Sequence, residues 1–199
     1  MDIDSKALKE EERRLRQAGD AGGLAACLGK QATALLSAGN FDQALPILKQ
    51  QEKICRQAKD QRGLSQSLGN QALIFKEKGS FDAALAALAE AEGICRAGIN
   101  TEELARCLGH KGVVLRKKGE PRLALATFRE VTELCIKARA AEDLVRSLLN
   151  SALIVAEDMQ DPQKGMVFAE EAYRIATRHG LQAVSQTVAL HLAYIQSLQ

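Results

Sequence analysis

The stretch LAACLGKQATALLSAGNFDQALPILKQQEKICRQAKD, from Leu24 to Asp60, decides the fold because the chain writes it again 40 residues later. LAACLGKQA at Leu24 returns as LSQSLGNQA at Leu64, LARCLGHKG at Leu104 and LVRSLLNSA at Leu144, with a fainter VSQTVALHL at Val184. The second half keeps the same register. FDQALPILKQQEKICRQAKD at Phe41 returns as FDAALAALAEAEGICRAGIN at Phe81 and PRLALATFREVTELCIKARA at Pro121, and the opening MDIDSKALKEEERRLRQAGD also falls in step. A fixed period with no net insertion marks a repeat array, in which each unit buries its apolar face only by stacking on its neighbours.

Each period reads as two amphipathic helices, A and B. In helix A, apolar residues recur at helical spacing, as in Leu64, Leu68, Ala72 and Phe75. Gly39, Gly79 and Gly119 then stop it, since glycine accepts the left-handed cap conformation. Asn40 and Ser80 are expected N-caps for helix B, and Pro121 suits a first turn. In the fourth copy Met159 replaces the turn glycine, and Asp161-Pro162 opens helix B one residue late. Pro46 lies deeper and is expected to delay or kink its helix. Ala44, Ala84 and Ala124 form a small-residue column in helix B, followed one turn later by Leu48, Leu88 and Phe128.

At these residues the sequence resembles the tetratricopeptide repeat (TPR) family, in the 40-residue variety of cell-polarity and signalling adaptors. The family's large-then-small pair in helix A is matched by Leu28/Ala32, Leu68/Ala72, Leu108/Gly112 and Leu148/Ala152. Its turn is matched by GNFD at Gly39 and GSFD at Gly79, and its small helix B residue by the alanine column. The family's aromatic positions are mostly Leu or Ala here, and Gly165 sits near the small column of the fourth helix B. The resemblance implies an all-α, right-handed α-solenoid of antiparallel helix pairs, about ten helices in all. The register expects one domain over residues 1–199. It begins with a lone helix B at 3–19, continues with repeats at about 21–60, 61–100, 101–140 and 141–180, and ends with a helix A at 181–199. The polar first helix suits a cap. The last carries Val184, Val188, Leu190, Leu192 and Ile195, which suits a flat-packed cap, a longer array or a self-association surface.

The family binds extended peptides or helices on a concave face lined by its A helices. Leu28, Ala32 and Leu35 read as core, so positions about two residues away face the groove. One such column is Lys30, Asn70, His110 and Asn150; a second contains Gln66, Arg106 and Arg146; Arg116 lies towards the helix end. Asn and His both donate to and accept from a peptide backbone, and Arg pairs with carboxylates bidentately. These eight residues are the expected peptide-binding site, with an acidic or C-terminal-carboxylate segment as ligand, held at micromolar affinity and weakened by salt. Gly29, Gly69 and Gly109 stand beside this column inside helix A, where glycine costs up to about 1 kcal/mol relative to alanine. Room for a neighbouring helix is the first explanation, and a bare strip for a ligand backbone the second.

Other functions find little support. With 27 basic and 25 acidic residues the chain carries a net charge of +2, unlike a dedicated nucleic-acid binder. No run of uncharged apolar residues is long enough for a membrane span, and the charged start is no secretory signal, so a cytoplasmic location is expected. The five cysteines, Cys27, Cys55, Cys95, Cys107 and Cys135, show no CxxC spacing and read as small buried packing residues. GLAACLGKQ at Gly23 is not a phosphate loop, because Gln31 follows Lys30 and no strand precedes it. His110, His179 and His191 lack metal-ligand or nucleophile spacing. The expectation is a non-enzymatic interaction scaffold without cofactor or metal. The alternative is a structural or self-assembly segment of a larger regulator.

Overall fold

The computed structural model describes residues 3–98 and 100–198; Gln199, the end of the expected terminal helix, lies outside the described residues. All the regular structure among them is helical. The chain divides into two compact units, Met1–Gly98 and Ile99–Gln199. The first holds α1 (Ile3–Ala18), α2 (Ala21–Ser37), α3 (Phe41–Ala58), α4 (Gln61–Glu77) and α5 (Phe81–Ala97). The second holds α6 (Thr101–Lys118), α7 (Pro121–Ala138), α8 (Ala141–Leu153) with its π-helical continuation (Ile154–Asp158), α9 (Pro162–Arg178) and α10 (Gln182–Gln196). Within each unit successive helices pack on one another, and α2 also touches α4 as α8 touches α10. The A helices are therefore α2, α4, α6, α8 and α10, and the B helices the rest.

The repeat columns become the core. Ala44, Ala84 and Ala124 are fully buried, as are Leu48 and Leu88, while Phe128 is 2% exposed. In the first unit Ala32, Ala44, Leu48 and Ile74 form one cluster, flanked by Leu35 and Phe41. Phe128 is the one large departure in its column, and Gly112 answers it on the facing helix. A Cβ on Gly112 would stand 2.7 Å from the Phe128 ring. The third pair thus exchanges an alanine–leucine contact for glycine–phenylalanine at nearly constant volume, the kind of swap a close-packed core tolerates.

Helix ends follow the expected pattern at one turn and depart from it at the other. Gly39, Gly79 and Gly119 hold φ of 72°, 72° and 87°. Asn40 and Ser80 occupy the N-cap positions of α3 and α5 but make no side-chain cap bond. There ψ is 60° and 63°, against 90° at Asp60, and the side chain does not reach the first amides. Side chains cap three A helices instead, where Asp20, Asp60 and Asn100 accept from the N–H of Gly23, Gly63 and Glu103 at 2.9, 3.0 and 3.1 Å, and one B helix, α9, where Asp161 accepts from the N–H of Lys164 at 3.0 Å. Pro46 neither delays nor breaks its helix; it sits exposed within α3, which runs unbroken from Phe41.

The fourth pair slips by one residue. The buried faces of α3 and α5 are Ala44, Leu48, Gln51, Cys55 and Ala84, Leu88, Ala91, Cys95. In α9 they are Gly165, Ala169, Ala172 and Ala176, each one position late against the period. The extra residue is taken up by the π-helical turn that prolongs α8, which adds a residue without ending the helix. The positive φ moves accordingly from the glycine column to Gln160, at 55°. Gly165 is thus the small column itself. A Cβ there would lie 2.7 Å from Ala156 Cβ and 2.8 Å from the Ala152 carbonyl oxygen, so alanine does not fit. The residue is given back before α10, whose buried Val188 and Ile195 stand 40 after the buried Leu148 and Val155.

Candidate ligand-binding face

A recurring hydrogen bond fixes α2, α4 and α8 each on the B helix before it. Cys27 Sγ donates to the Leu8 carbonyl at 3.3 Å, Ser67 Oγ to Leu48 at 2.8 Å and Ser147 Oγ to Phe128 at 2.9 Å. Thiol and hydroxyl alternate in one column because both are small, buried donors. One turn on, Gln31 Nε2 donates to Glu12 Oε2 at 2.8 Å and Gln71 Nε2 to Glu52 Oε2 at 2.7 Å. Partial burial acts to raise the Glu52 carboxyl, but hydrogen bonds from Gln71 and Arg56 outweigh it and hold the acid below its usual range. All five cysteines are buried and unbridged, in keeping with a packing role.

This anchoring spends one side of each of these A helices and leaves another open. In the first unit Lys30 is exposed on α2, and Gln66 and Asn70 are half-buried on the neighbouring α4. The glycines beside the column part company. A Cβ on Gly29 would meet Gln51 Nε2 at 2.7 Å, so there the room serves a neighbouring helix. A Cβ on Gly69 would have no atom of the described residues within 4 Å. The Asn70 amide beside it has no hydrogen-bond partner among the described residues.

The second unit holds the other five. On α6, Arg106 is exposed, His110 is half-buried, and Gly109 next to it is as open as Gly69. Arg116, near the end of α6, is held by Glu157 and Asp158 of the π-helical turn. Arg146 on α8 pairs with Glu142 and Asp143 of its own helix, and Asn150 Nδ2 donates to the Arg146 carbonyl at 2.9 Å. Two of the three arginines expected to meet a ligand carboxylate therefore already hold carboxylates of the chain.

On α10 the exposed Leu190 is joined by Tyr194, which lies outside the apolar set expected of the last helix. Two open clefts flank Tyr194: one of about 400 Å³, lined by Ala156, Glu157, Gln160, Pro162 and Leu198, and one of about 240 Å³, lined by Leu153, Glu157, Leu190 and His191. Leu190 stands 40 residues after Asn150, so the polar column ends on an exposed leucine. That break in the column was the available signal.

Among solved structures the chain is similar to BtubC (BKLC) from P. vanneervenii, at 13% identity and a TM-score of 0.74, over 97% of this chain and 89% of that one. Its fold is TPR-like. The TPR-like repeats of a kinesin light chain from Podosopora anserina match at 16% identity and 0.67, over 90% of this chain and 99% of that one. The apo form of RapI, at 16% and 0.67, matches over 98% of this chain and 73% of that one. The TPR-like likeness thus spans nearly the whole chain, and it establishes an all-α solenoid of helix pairs. No family model matches the sequence, and no curated protein does. No helix among the described residues is long and apolar enough to cross a membrane.

Proposed function

We propose that this chain is a non-enzymatic scaffold that holds an extended peptide segment against the exposed faces of its A helices, with Lys30, Gln66, Asn70, Arg106, His110, Arg116, Arg146 and Asn150 as the contact set. The observation that carries this reading is the pairing of an open glycine with an uncommitted amide at Gly69 and Asn70. Helix glycine costs up to about 1 kcal/mol relative to alanine. Where Gly29 meets Gln51 the fold explains that cost; at Gly69 no contact within the described residues does. A peptide backbone could approach there and use both the donor and the acceptor of the amide.

Exposed Lys30 and Arg106 favour an acidic segment. Arg146 adds to them by exchange, since its pairs with Glu142 and Asp143 lie at the surface, where such pairs contribute about 1 kcal/mol or less. A cytoplasmic location fits an unbridged, cysteine-bearing chain. Self-association through a terminal helix is a second reading, favoured by the apolar stripe of α10.

Calorimetric titration of the full chain with acidic peptides and their amide counterparts tests the main reading. Asn70→Ala and Arg106→Glu should each weaken the acidic peptides about tenfold, which corresponds to about 1.4 kcal/mol. Equal affinity of the wild type and both variants for every bound peptide would remove the proposal.

A further inference from the structure

The outward face of α10 is unlike the rest of the surface. Leu190 is 73% exposed, Tyr194 45% and Leu198, in the turn that ends the helix, 40%. The opposite face is spent inside the unit, with Val188 packed among Val145, Leu148 and Ala172, and Ile195 among Ala152, Ala156 and Ala169. The outward stripe is left partly uncovered by its own unit, Leu190 most of all. It follows the i, i+4, i+8 spacing of one helical face. Ala189 and Ala193, both exposed, keep the flank low enough for another helix to approach.

Two features of this face select the occupant. The first is charge. No Asp, Glu, Lys or Arg occurs in α10, although 26% of the chain is charged. A two-fold interface sets a patch against itself, so any fixed charge near its centre would meet its like. The cleft residue Glu157 shares Arg116 with Asp158, which offsets part of that penalty. The second is symmetry. Leucines stand four residues to either side of Tyr194, so an antiparallel copy of the helix places Leu190 on Leu198 of the second copy and tyrosine beside tyrosine. The clefts flanking Tyr194 lie where the incoming leucines would enter.

We infer that α10 pairs antiparallel with α10 of a second copy of this chain about a two-fold axis at Tyr194. One helix face is small beside the roughly 800 Å² per partner of a standard interface, so the dimer is weak and depends on concentration. The inference gives the self-association reading a specific surface and does not depend on peptide binding.

Sedimentation equilibrium of the full chain across a concentration series, with cross-linking by engineered thiols, tests it. The native cysteines are buried, so a new surface thiol reports its own position. The wild type should pass from monomer to dimer as concentration rises, and Leu190→Glu should shift that transition at least tenfold higher. On oxidation Tyr194→Cys should form a covalent dimer. Leu190→Cys should link poorly to itself but readily to Leu198→Cys in a mixed sample, because bridged Cα atoms lie within about 7 Å. A wild type that stays monomeric throughout would overturn both this pairing and the self-association reading. A dimer that Leu190→Glu leaves intact, or equal linking of Leu190→Cys to itself, would overturn the pairing alone.

Discussion

Gly112 and Phe128 are one decision made at two positions. Where the first repeat sets Ala32 against Leu48, this one sets glycine against a ring that a Cβ would meet at 2.7 Å. Gly112→Ala should therefore destabilise the chain by about 1–3 kcal/mol, the usual cost of overpacking, despite the better helix propensity of alanine. Phe128→Leu added to it should recover most of the loss, and the pair should be strongly non-additive in a denaturant double-mutant cycle. Gly69→Ala predicts the opposite sign. Its Cβ enters open space, so the helix should gain up to about 1 kcal/mol while peptide affinity falls. A variant that is both more stable in urea and unchanged in binding would show that the opening at Gly69 is not used.

Which helices need their caps differs between the two turns of the second repeat. Asp60 accepts the Gly63 amide at 3.0 Å, while Asn40 and Ser80 leave the corresponding amides of α3 and α5 without a side chain. Asp60→Ala should cost about 1 kcal/mol and Ser80→Ala a few tenths at most, read from chemical denaturation midpoints. The residue type alone pointed to all of these caps; only ψ at the cap decides which side chains reach. The A and B helices themselves were legible because four copies average out local ambiguity, and the glycine column fixed three of the turns. The fourth turn was legible only in part. Met159 and the late Asp161-Pro162 announced an extra residue, but that a π-helical turn absorbs it depends on Ala152, Ala156 and Gly165 packing closely, which no periodicity expresses. The candidate site was least legible. The polar column is visible in the sequence, yet the carboxylates that hold Arg116 lie 41 and 42 residues away on another element.

At the scale of the whole molecule the cysteine column couples stability to alkaline pH. Cys55 sits in the first unit and Cys135 in the second, each at most 1% exposed. Burial pushes both thiols up to about 11, with Asp60 adding to the effect at Cys55 and Asp143 at Cys135. In the unfolded chain the same thiols ionise near their ordinary value of about 8.5. Between those values the unfolded state releases protons that the folded state keeps, so unfolding is favoured as pH rises. The thiol contribution is complete below about pH 8.5 and is lost as pH climbs through about 11. Urea midpoints should therefore fall steadily over that window. A Cys55→Ala/Cys135→Ala variant, less stable at pH 8 because of the atoms it lacks, should show a distinctly shallower fall. Parallel slopes for the two proteins would mean that lysine and tyrosine titration accounts for the alkaline loss and that the buried thiols contribute nothing to it.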